Sequence, residues 1–183
     1  MSAGTIDDVR RARRVLCFGA TGSGKSTMAL ALGERLGLPV TLVDDLCWEP
    51  GWRSVPDAQQ DALIVPALER DAYVIDSVYR RHNPTALERV DVIVALDYPR
   101  PVSLARLLRR TARRIRTREL VCNGNVETLA RTLSKDSIIR WHFRSWGSKR
   151  ERMRAWHQDA SAPPVLLLSS PRQADAALAQ LRG

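Results

Sequence analysis

The sequence reads Gly19-Ala20-Thr21-Gly22-Ser23-Gly24-Lys25-Ser26 between a short apolar run and a helical pattern. This stretch fits GxxxxGK[ST], the phosphate-binding P-loop pattern. A glycine-rich turn lets successive backbone N–H groups point at phosphate oxygens, and the following helix directs the positive end of its dipole to the same place. Such a loop binds ATP or GTP, with Lys25 at the β- and γ-phosphates and Ser26 on Mg²⁺.

The alternative is a chance glycine-rich turn, but the strand before the motif and the helix after it are the context that phosphate binding requires. A dinucleotide fingerprint is excluded, because Thr27 stands where the third glycine would be. The loop residues expected to contact the nucleotide are Gly19, Thr21, Gly22, Ser23, Gly24, Lys25, Ser26 and Thr27.

Apolar runs alternate with helical patterns along the chain. The runs predict strands at residues 14–18, 40–43, 73–76, 92–96 and 165–168. The helical patterns cover residues 25–36, 57–70, 99–116, 126–158 and 171–181, with possible breaks at Pro66 and Gly147, and residues 48–56 and 116–125 are expected to be loops. This alternation predicts one α/β domain over residues 1–183, with a parallel sheet covered by helices on both faces.

Charge is unevenly placed in this chain of 183 residues and net charge +9. Residues 100–160 hold 16 Lys or Arg and 5 Asp or Glu, a net of +11, so the remainder sums to −2. A basic block of this kind indicates an anionic ligand, a nucleic acid or a membrane surface. The three cysteines and three histidines lack metal-ligand spacing, and no transmembrane run or signal peptide is recognisable, so we expect a cytoplasmic protein without a membrane partner.

Carboxylates follow the predicted strands, at the edge where open α/β sheets bind ligands. Asp44 and Asp45 follow the second strand, Asp76 ends the third, and Asp97 follows the fourth. We assign Asp76 with Ser26 to the magnesium shell, and Asp44 to orienting or deprotonating the hydroxyl of a phosphoryl acceptor. The alternative is that each aspartate only caps the next helix or turn.

The basic block contains an arginine-rich helix. Arg109, Arg113 and Arg116 share one face of it, and such packed like charges call for an anion. We expect a lid over residues 109–130 in which Arg109 contacts the nucleotide while Arg113 and Arg116 stabilise the transferring phosphoryl group. A solvated basic face or a contact with a nucleic-acid backbone is the alternative. Residues 140–146 interleave aromatics with arginines, which favours a helix with a buried aromatic side over a base-stacking surface.

Together these residues resemble the adenylate-kinase-like P-loop kinases, and more closely the group often labelled topology modulation proteins. The resemblance covers nearly the whole chain. Beyond the P-loop and the arginine block it rests on Val43-Asp44-Asp45-Leu46-Cys47-Trp48, Pro50-Gly51-Trp52, Ile75-Asp76-Ser77-Val78-Tyr79, Leu96-Asp97-Tyr98-Pro99-Arg100 and Leu168-Ser169-Ser170-Pro171-Arg172.

The resemblance implies a three-layer sandwich with strand order 2-3-1-4-5, an arginine-rich lid after strand four, and Ser170 to Arg172 against the adenine. It also implies an acceptor pocket between Asp44 and Arg81. Adenylate kinases carry Asp-Gly-Phe-Pro-Arg at the third strand, whereas only Asp76 and Arg80 match here. AMP is therefore not indicated, and Trp48, Trp52, Arg53 and Tyr79 are expected to line a pocket for another acceptor.

Three functions remain open at this point. The favoured one is a kinase that transfers the γ-phosphoryl group of MgATP to a small nucleotide or hydroxylated metabolite. The second is a P-loop ATPase that drives a conformational change, although the acidic pair typical of AAA proteins is missing and a GTPase would need an Asn-Lys-x-Asp motif. The third is an ATP-binding regulator that contacts nucleic acid through the basic block.

Overall fold

The computed structural model describes residues 2–181. Its strands are β1 (Arg14–Gly19), β2 (Val40–Thr41), β3 (Trp48–Glu49), β4 (Arg53–Ser54), β5 (Tyr73–Asp76), β6 (Val92–Leu96), β7 (Leu120–Val121), β8 (Asn125–Val126) and β9 (Val165–Leu168). Its helices are α1 (Ile6–Arg11), α2 (Lys25–Leu36), α3 (Val43–Cys47), α4 (Asp57–Glu69), α5 (Asn83–Arg89), α6 (Arg100–Thr117), α7 (Leu129–Leu133), α8 (Ile138–Gln158) and α9 (Pro171–Gln180), with a 3₁₀ turn at Arg80–His82.

Five of these strands form a parallel sheet in the order β2-β5-β1-β6-β9. Counted within this sheet along the chain, the order is 2-3-1-4-5. Cys17 of β1 is in register with Asp76 of β5, and Gly19 with Leu96 of β6. The carboxyl ends of the three central strands therefore meet at one edge, where the P-loop begins.

The sheet separates two apolar cores, because successive side chains of a strand point to opposite faces. Leu16, Phe18 and Ile75 pack with residues of α3, α4, α5 and α8 on one face. Val15 and Cys17 pack with residues of α1, α2 and α9 on the other. Helices on both faces of a five-stranded parallel sheet confirm the α/β class that the alternating pattern predicts.

The second strand is shorter than the sequence predicts. It ends at Thr41, and Val43 already begins α3. The cause is a tertiary contact: the backbone N–H of Val43 donates to Asp76 Oδ1 at 2.8 Å, which turns the chain away from the sheet. Asp44 and Asp45 therefore lie in the first turn of a short helix instead of directly at a strand end.

The two stretches expected to be loops are both antiparallel hairpins. We call residues 48–54 (β3 and β4) the Trp hairpin and residues 120–126 (β7 and β8) the Asn hairpin. Val126 belongs to β8, so the helical region predicted from that residue begins only at Leu129. Leu129 and Leu133 lie in α7 and are largely exposed, at 65% and 79%.

Other boundaries differ in smaller ways. The helix over residues 138–158 runs unbroken through Gly147, and α4 likewise contains Pro66 without ending there. Pro56 is the N-cap of α4, so Asp57 is its first residue and not its cap. The sequence reading missed α5 and the 3₁₀ turn before it. Over residues 2–181, no helix is both long and apolar enough to cross a membrane.

Candidate active site

The P-loop connects β1 to α2 at the centre of the sheet edge. Gly24 precedes the first residue of α2, Lys25, with φ of +96°, and Gly22 has φ of +83°, a region that favours glycine. A Cβ atom at Gly22 would collide with the carbonyl oxygen of Ser103 and with Leu107, both on α6. The close packing of α6 against the loop therefore requires a glycine at this position in any case.

The remaining loop residues form its walls. Thr21 and Ser23 are buried, Lys25 is half-buried, and Thr27 is exposed on the outer side of α2. The carbonyl oxygen of Thr21 accepts a hydrogen bond from Nδ1 of His142 at 2.9 Å, with His142 taken as the tautomer protonated there. Burial lowers the pKa of His142, so the buried imidazole is neutral near pH 7. This contact fixes the loop from the α8 side.

Ser26 and Asp76 come together as the sequence predicts for a magnesium shell. The Ser26 hydroxyl donates to Asp76 Oδ2, and Asp76 is only 2% exposed. Burial raises the pKa of Asp76, while Lys25 and the Ser26 hydrogen bond oppose that rise. Among residues 2–181 no group of three His, Cys, Asp or Glu could hold a metal ion. One hydroxyl and one carboxylate still fit Mg²⁺, which in such sites takes its other ligands from phosphates and water.

The arginines of α6 divide into two faces. Arg106, Arg110 and Arg114 recur every fourth residue beside the buried Ser103, Leu107 and Thr111. Arg106 approaches the P-loop closely, its Nη2 lying 2.9 Å from where a Cβ atom of Gly24 would be. Arg114 donates to Glu127 Oε1 at 3.1 Å.

The arginines chosen from sequence lie on the outer face of α6. Arg109 and Arg116 are exposed, and Arg113 is 60% exposed and pairs with Glu119 at 3.1 Å. The structure does not bring these three to the P-loop. Polarity along the sequence does not show which face is inward, because Ser103 and Thr111 are buried whereas Leu108 is 45% exposed.

Helix α8 supplies a residue that sequence reasoning missed. Lys149 is half-buried, and burial together with the charge of Lys25 lowers its pKa to about 7, while Asp44 and Asp76 act in the opposite direction. The pKa of Lys149 is therefore sensitive to the charges of the P-loop lysine and of the two candidate carboxylates. Nothing in its local sequence distinguishes it from the other basic residues of α8.

Asp97 has a different environment from Asp76. It is 3% exposed, and its two carboxylate oxygens accept from Nε of Arg150 at 2.9 Å and Nε of Arg154 at 3.0 Å. Both arginines belong to α8. Asp97 therefore fastens α8 to the end of β6, which sets the position of Lys149 on the same helix.

Asp44 is exposed, in the first turn of α3. Its charge raises the pKa of the Tyr79 phenol after the larger effect of burial, and it acts on Arg110 and Lys149 as well. Asp44 follows Val43, whose backbone N–H donates to Asp76 Oδ1, so α3 begins next to the candidate magnesium carboxylate. Asp45 is also exposed, and its pKa is raised by partial burial and by Asp44.

The Trp and Asn hairpins hold each other through a set of contacts that we call the hairpin clasp. Asn125 accepts from the Trp52 backbone N–H at 2.7 Å and donates to the Glu49 carbonyl at 2.9 Å. Trp52 Nε1 donates to the Val126 carbonyl at 3.1 Å. Asn123 Nδ2 donates to the carbonyls of Asp45 and Trp48 at 2.6 and 2.9 Å.

The other residues expected around the acceptor, and Arg172 expected at the adenine, have the following environments. Trp52 belongs to the clasp, with Trp48 edge-on at 5.8 Å and Arg131 over its ring at 4.7 Å. Arg53 is exposed and pairs with Glu49, and Tyr79 is half-buried beside Cys47. Arg172 is exposed in the first turn of α9.

Comparisons with known proteins bear on the fold. No protein-family model matches the chain. No curated protein matches it either.

Several solved structures are similar to the chain at low sequence identity. A gluconokinase from Sinorhizobium meliloti 1021 has a TM-score of 0.52 and 17% identity, covering 92% of this chain and 93% of that one. Shikimate kinase from Acinetobacter baumannii, solved with shikimate, has 0.55 and 14%, covering 97% and 96%. Deoxyadenosine kinase from M. mycoides, solved with products, has 0.54 and 12%, covering 91% and 95%. The chain therefore has a P-loop kinase fold.

Proposed function

We propose that this protein transfers the γ-phosphoryl group of MgATP to a hydroxyl group of a small acceptor. The observation that carries the proposal is the P-loop together with the hydrogen bond from the Ser26 hydroxyl to the buried carboxylate of Asp76. The structures similar in fold are named for kinases that act on gluconate, shikimate and deoxyadenosine. The resemblance to topology modulation proteins supports a P-loop protein of this size without indicating an acceptor.

The residues around the P-loop would bind the nucleotide. Backbone N–H groups of residues 19–24, Lys25 and Arg106 hold the phosphates, because these groups converge on the start of α2. Ser26 and Asp76 would hold Mg²⁺, which neutralises charge on the phosphate oxygens when bound. Arg172, at the start of α9, remains a candidate for contacts to the outer part of the nucleotide, whereas Arg109 lies on the outer face of α6 and is not retained.

On the acceptor side, Asp44 orients the acceptor hydroxyl and accepts its proton as the oxygen attacks the γ-phosphorus. Lys149 stabilises the negative charge that develops on the transferring group, a role for which a desolvated cation is well suited. This assignment replaces Arg113 and Arg116 in the role predicted from sequence, because both lie on the outer face of α6.

A second candidate function is favoured by one surface. Trp141 and Phe143 on α8 were expected on a buried side, yet each is 51% exposed, and Arg140 and Arg144 flank them. Exposed aromatics between arginines can stack on the bases of single-stranded nucleic acid. The buried aromatic position in this segment is instead His142. An ATP-dependent nucleic-acid binder is therefore the alternative that the experiment must separate.

The test measures ADP formation from MgATP against a panel of nucleosides, nucleoside monophosphates, sugar acids and polyols. We expect one acceptor to stimulate ADP formation manyfold, with loss in Lys25→Ala and Asp44→Ala. Arg106→Ala should raise the KM for MgATP about tenfold, since a charge-assisted contact is removed, whereas Arg113→Ala is the matched control and should stay within about threefold. Binding of ATP without stimulation by any acceptor, together with salt-sensitive binding of a single-stranded oligonucleotide, would replace the kinase proposal with the alternative.

A further inference from the structure

The first half of the P-loop is a tight turn over residues 20–23. The backbone N–H of Ser23 donates to the carbonyl of Ala20 at 3.1 Å. Gly22 has φ of +83°, whereas φ of Thr21 is negative. A negative φ at the second position and a positive φ at the third define a type II β-turn. The central peptide of this turn consists of the Thr21 carbonyl and the Gly22 N–H.

The orientation of this central peptide decides what the loop offers to a phosphate. Turns of types I and II share the same ends and differ by a rotation of the central peptide through about half a turn. Because a trans peptide keeps its C=O and N–H groups antiparallel, the reversed peptide would place the Thr21 oxygen where the Gly22 N–H now lies. A P-loop cradles phosphates with its N–H groups, and a carbonyl oxygen in that place would repel them. The Gly22 N–H donates to no backbone carbonyl among residues 2–181, so it is available for a phosphate oxygen.

His142 of α8 contacts the carbonyl of this peptide. Its Nδ1 lies 2.9 Å from the Thr21 oxygen, and the imidazole is fully buried. Its Nε2 is shielded from solvent and has no partner within the described residues 2–181. With a proton on Nε2 instead of Nδ1, the ring would direct a lone pair at the carbonyl oxygen and bury an N–H without an acceptor. The surroundings therefore favour the tautomer that donates to Thr21.

The opposite side of the turn is held by α6, but in a different way. A side chain at Gly22 would collide with the carbonyl of Ser103 and with Leu107, so this contact is steric. It restricts the position of the Gly22 Cα atom, whereas the hydrogen bond from His142 acts on the direction of the carbonyl. The ion pairs of Asp97 with α8 in turn fix the helix that carries the imidazole.

We propose that His142 is a positioning residue for nucleotide binding, because its Nδ1–H holds the Thr21 carbonyl away from the phosphates and so directs the Gly22 N–H at them. This inference rests on the proposed function only in requiring that the P-loop binds MgATP. It adds a residue that lies 121 positions from Thr21 in the chain to the determinants of phosphate affinity. The GxxxxGK[ST] pattern does not include this residue.

The experiment compares His142→Asn with His142→Gln in the full chain. The amide nitrogen of asparagine is bonded to Cγ, as Nδ1 is, and can donate to the Thr21 carbonyl. The amide nitrogen of glutamine lies one bond further out, near the position of Nε2, where the described residues offer no partner. The two variants thus bury the same chemical group and differ in where it lies.

The readout is the Kd of two probes measured by calorimetry, a non-hydrolysable MgATP analogue and inorganic tripolyphosphate with Mg²⁺. Tripolyphosphate reports on the phosphate site without the base. We expect His142→Gln to weaken both probes by about tenfold or more, since a buried hydrogen bond is lost, and His142→Asn to stay within about threefold of the wild type. Glu151→Gln, on the exposed side of α8, is the control and should bind both probes as the wild type does.

A role in packing alone would give a different result. Asparagine and glutamine at position 142 would then bind tripolyphosphate equally well, whatever their melting temperatures, and the inference would be overturned. A measurement on the wild type keeps the test independent of how the variants fold. In ¹⁵N NMR spectra we expect the Nδ1-protonated tautomer of His142 and a downfield shift of the Gly22 amide proton when tripolyphosphate and Mg²⁺ are added. The opposite tautomer, or an unshifted Gly22 amide, would also overturn the inference.

Failure of the proposed function is distinguishable from failure of this inference. If both probes bind with the expected order of variants but no acceptor stimulates ADP formation, the kinase proposal fails and the role of His142 is upheld. If an acceptor stimulates turnover while both variants at position 142 bind like the wild type, the kinase proposal is upheld and the role of His142 is refuted. If neither probe binds the wild type, both are refuted.

Discussion

The P-loop and the hairpin clasp are built in opposite ways. The P-loop occupies eight consecutive residues, and its shape follows from glycines and the start of α2. The clasp joins residues far apart in the chain, with Asn125 and Trp52 separated by 73 positions. The P-loop is therefore encoded by one segment of the sequence, whereas the clasp depends on tertiary contacts between distant segments.

The largest effect is expected for Asp76, because this residue contacts both the P-loop and the first residue of α3. Asp76 accepts hydrogen bonds from the hydroxyl of Ser26, the last residue of the P-loop, and from the backbone N–H of Val43, the first residue of α3. Asp76→Asn removes the negative charge but leaves an oxygen for the Val43 N–H. We expect turnover of MgATP to fall by about a hundredfold or more, because the Mg²⁺ shell loses its carboxylate.

The measurement is ADP formation at saturating MgATP, with the melting temperature recorded in parallel. Asp71→Asn is the control, since Asp71 is exposed just before β5. An Asp76→Asn protein that keeps full turnover would show that this carboxylate serves only the fold of the acceptor side.

The second prediction concerns Lys149. In the free protein, burial and the charge of Lys25 lower the pKa of this lysine to about 7. Bound phosphate favours the protonated amine, so MgATP binding takes up a proton above pH 7 and weakens as the pH rises through that value. We expect the Kd of a non-hydrolysable MgATP analogue to rise severalfold between pH 6.5 and 8.5.

Two substitutions sharpen the assignment of this titration. Lys149→Arg should remove the pH dependence, because a guanidinium stays charged throughout, and Lys149→Met should bind weakly at every pH. Lys135→Arg changes an exposed lysine and should keep the wild-type profile. An unchanged pH profile in Lys149→Arg would assign the titration to another group.

The smallest expected effect lies in the clasp. Asn125→Ala leaves the Trp52 N–H and two carbonyls without their partner, a loss of about 1–3 kcal/mol in stability. For a chain of this size that corresponds to a melting temperature lower by roughly 3–10 °C, with red-shifted tryptophan emission as Trp52 becomes hydrated. Leu120→Ala in the same hairpin is the control, because Leu120 is 70% exposed. Equal melting temperatures for the two variants would contradict the prediction that the hydrogen bonds of Asn125 stabilise the protein.

Sequence reasoning succeeded where a pattern is confined to one segment. The helix over residues 25–36, the strands at 73–76, 92–96 and 165–168, and the α/β class are all confirmed. Each of these segments has an apolar period of its own, together with local stop signals such as Gly37, which ends α2 with φ of +65°.

It failed where a distant partner decides the outcome. The second strand ends early because the backbone N–H of Val43 donates to Asp76 instead of continuing the sheet. The hairpin at residues 120–126 is stabilised by hydrogen bonds from Asn123 and Asn125 to the Trp hairpin. Which arginines of α6 face inward depends on how the helix packs on Gly22, a contact that no spacing rule contains. Lys149 escaped notice because its burial comes entirely from tertiary structure.

The unbroken course of α8 has a consequence for which changes this chain can tolerate. His142, which contacts the P-loop, and Lys149, which we propose acts on the transferring group, are seven residues apart, or about two helical turns. Arg150 and Arg154 come next on the helix and form ion pairs with Asp97. Inserting or deleting one residue between His142 and Lys149 would rotate one end of the helix by about 100° against the other. We therefore expect α8 to tolerate substitutions on its outer face better than insertions or deletions between these contacts, because a change in length would misplace Lys149 relative to the P-loop.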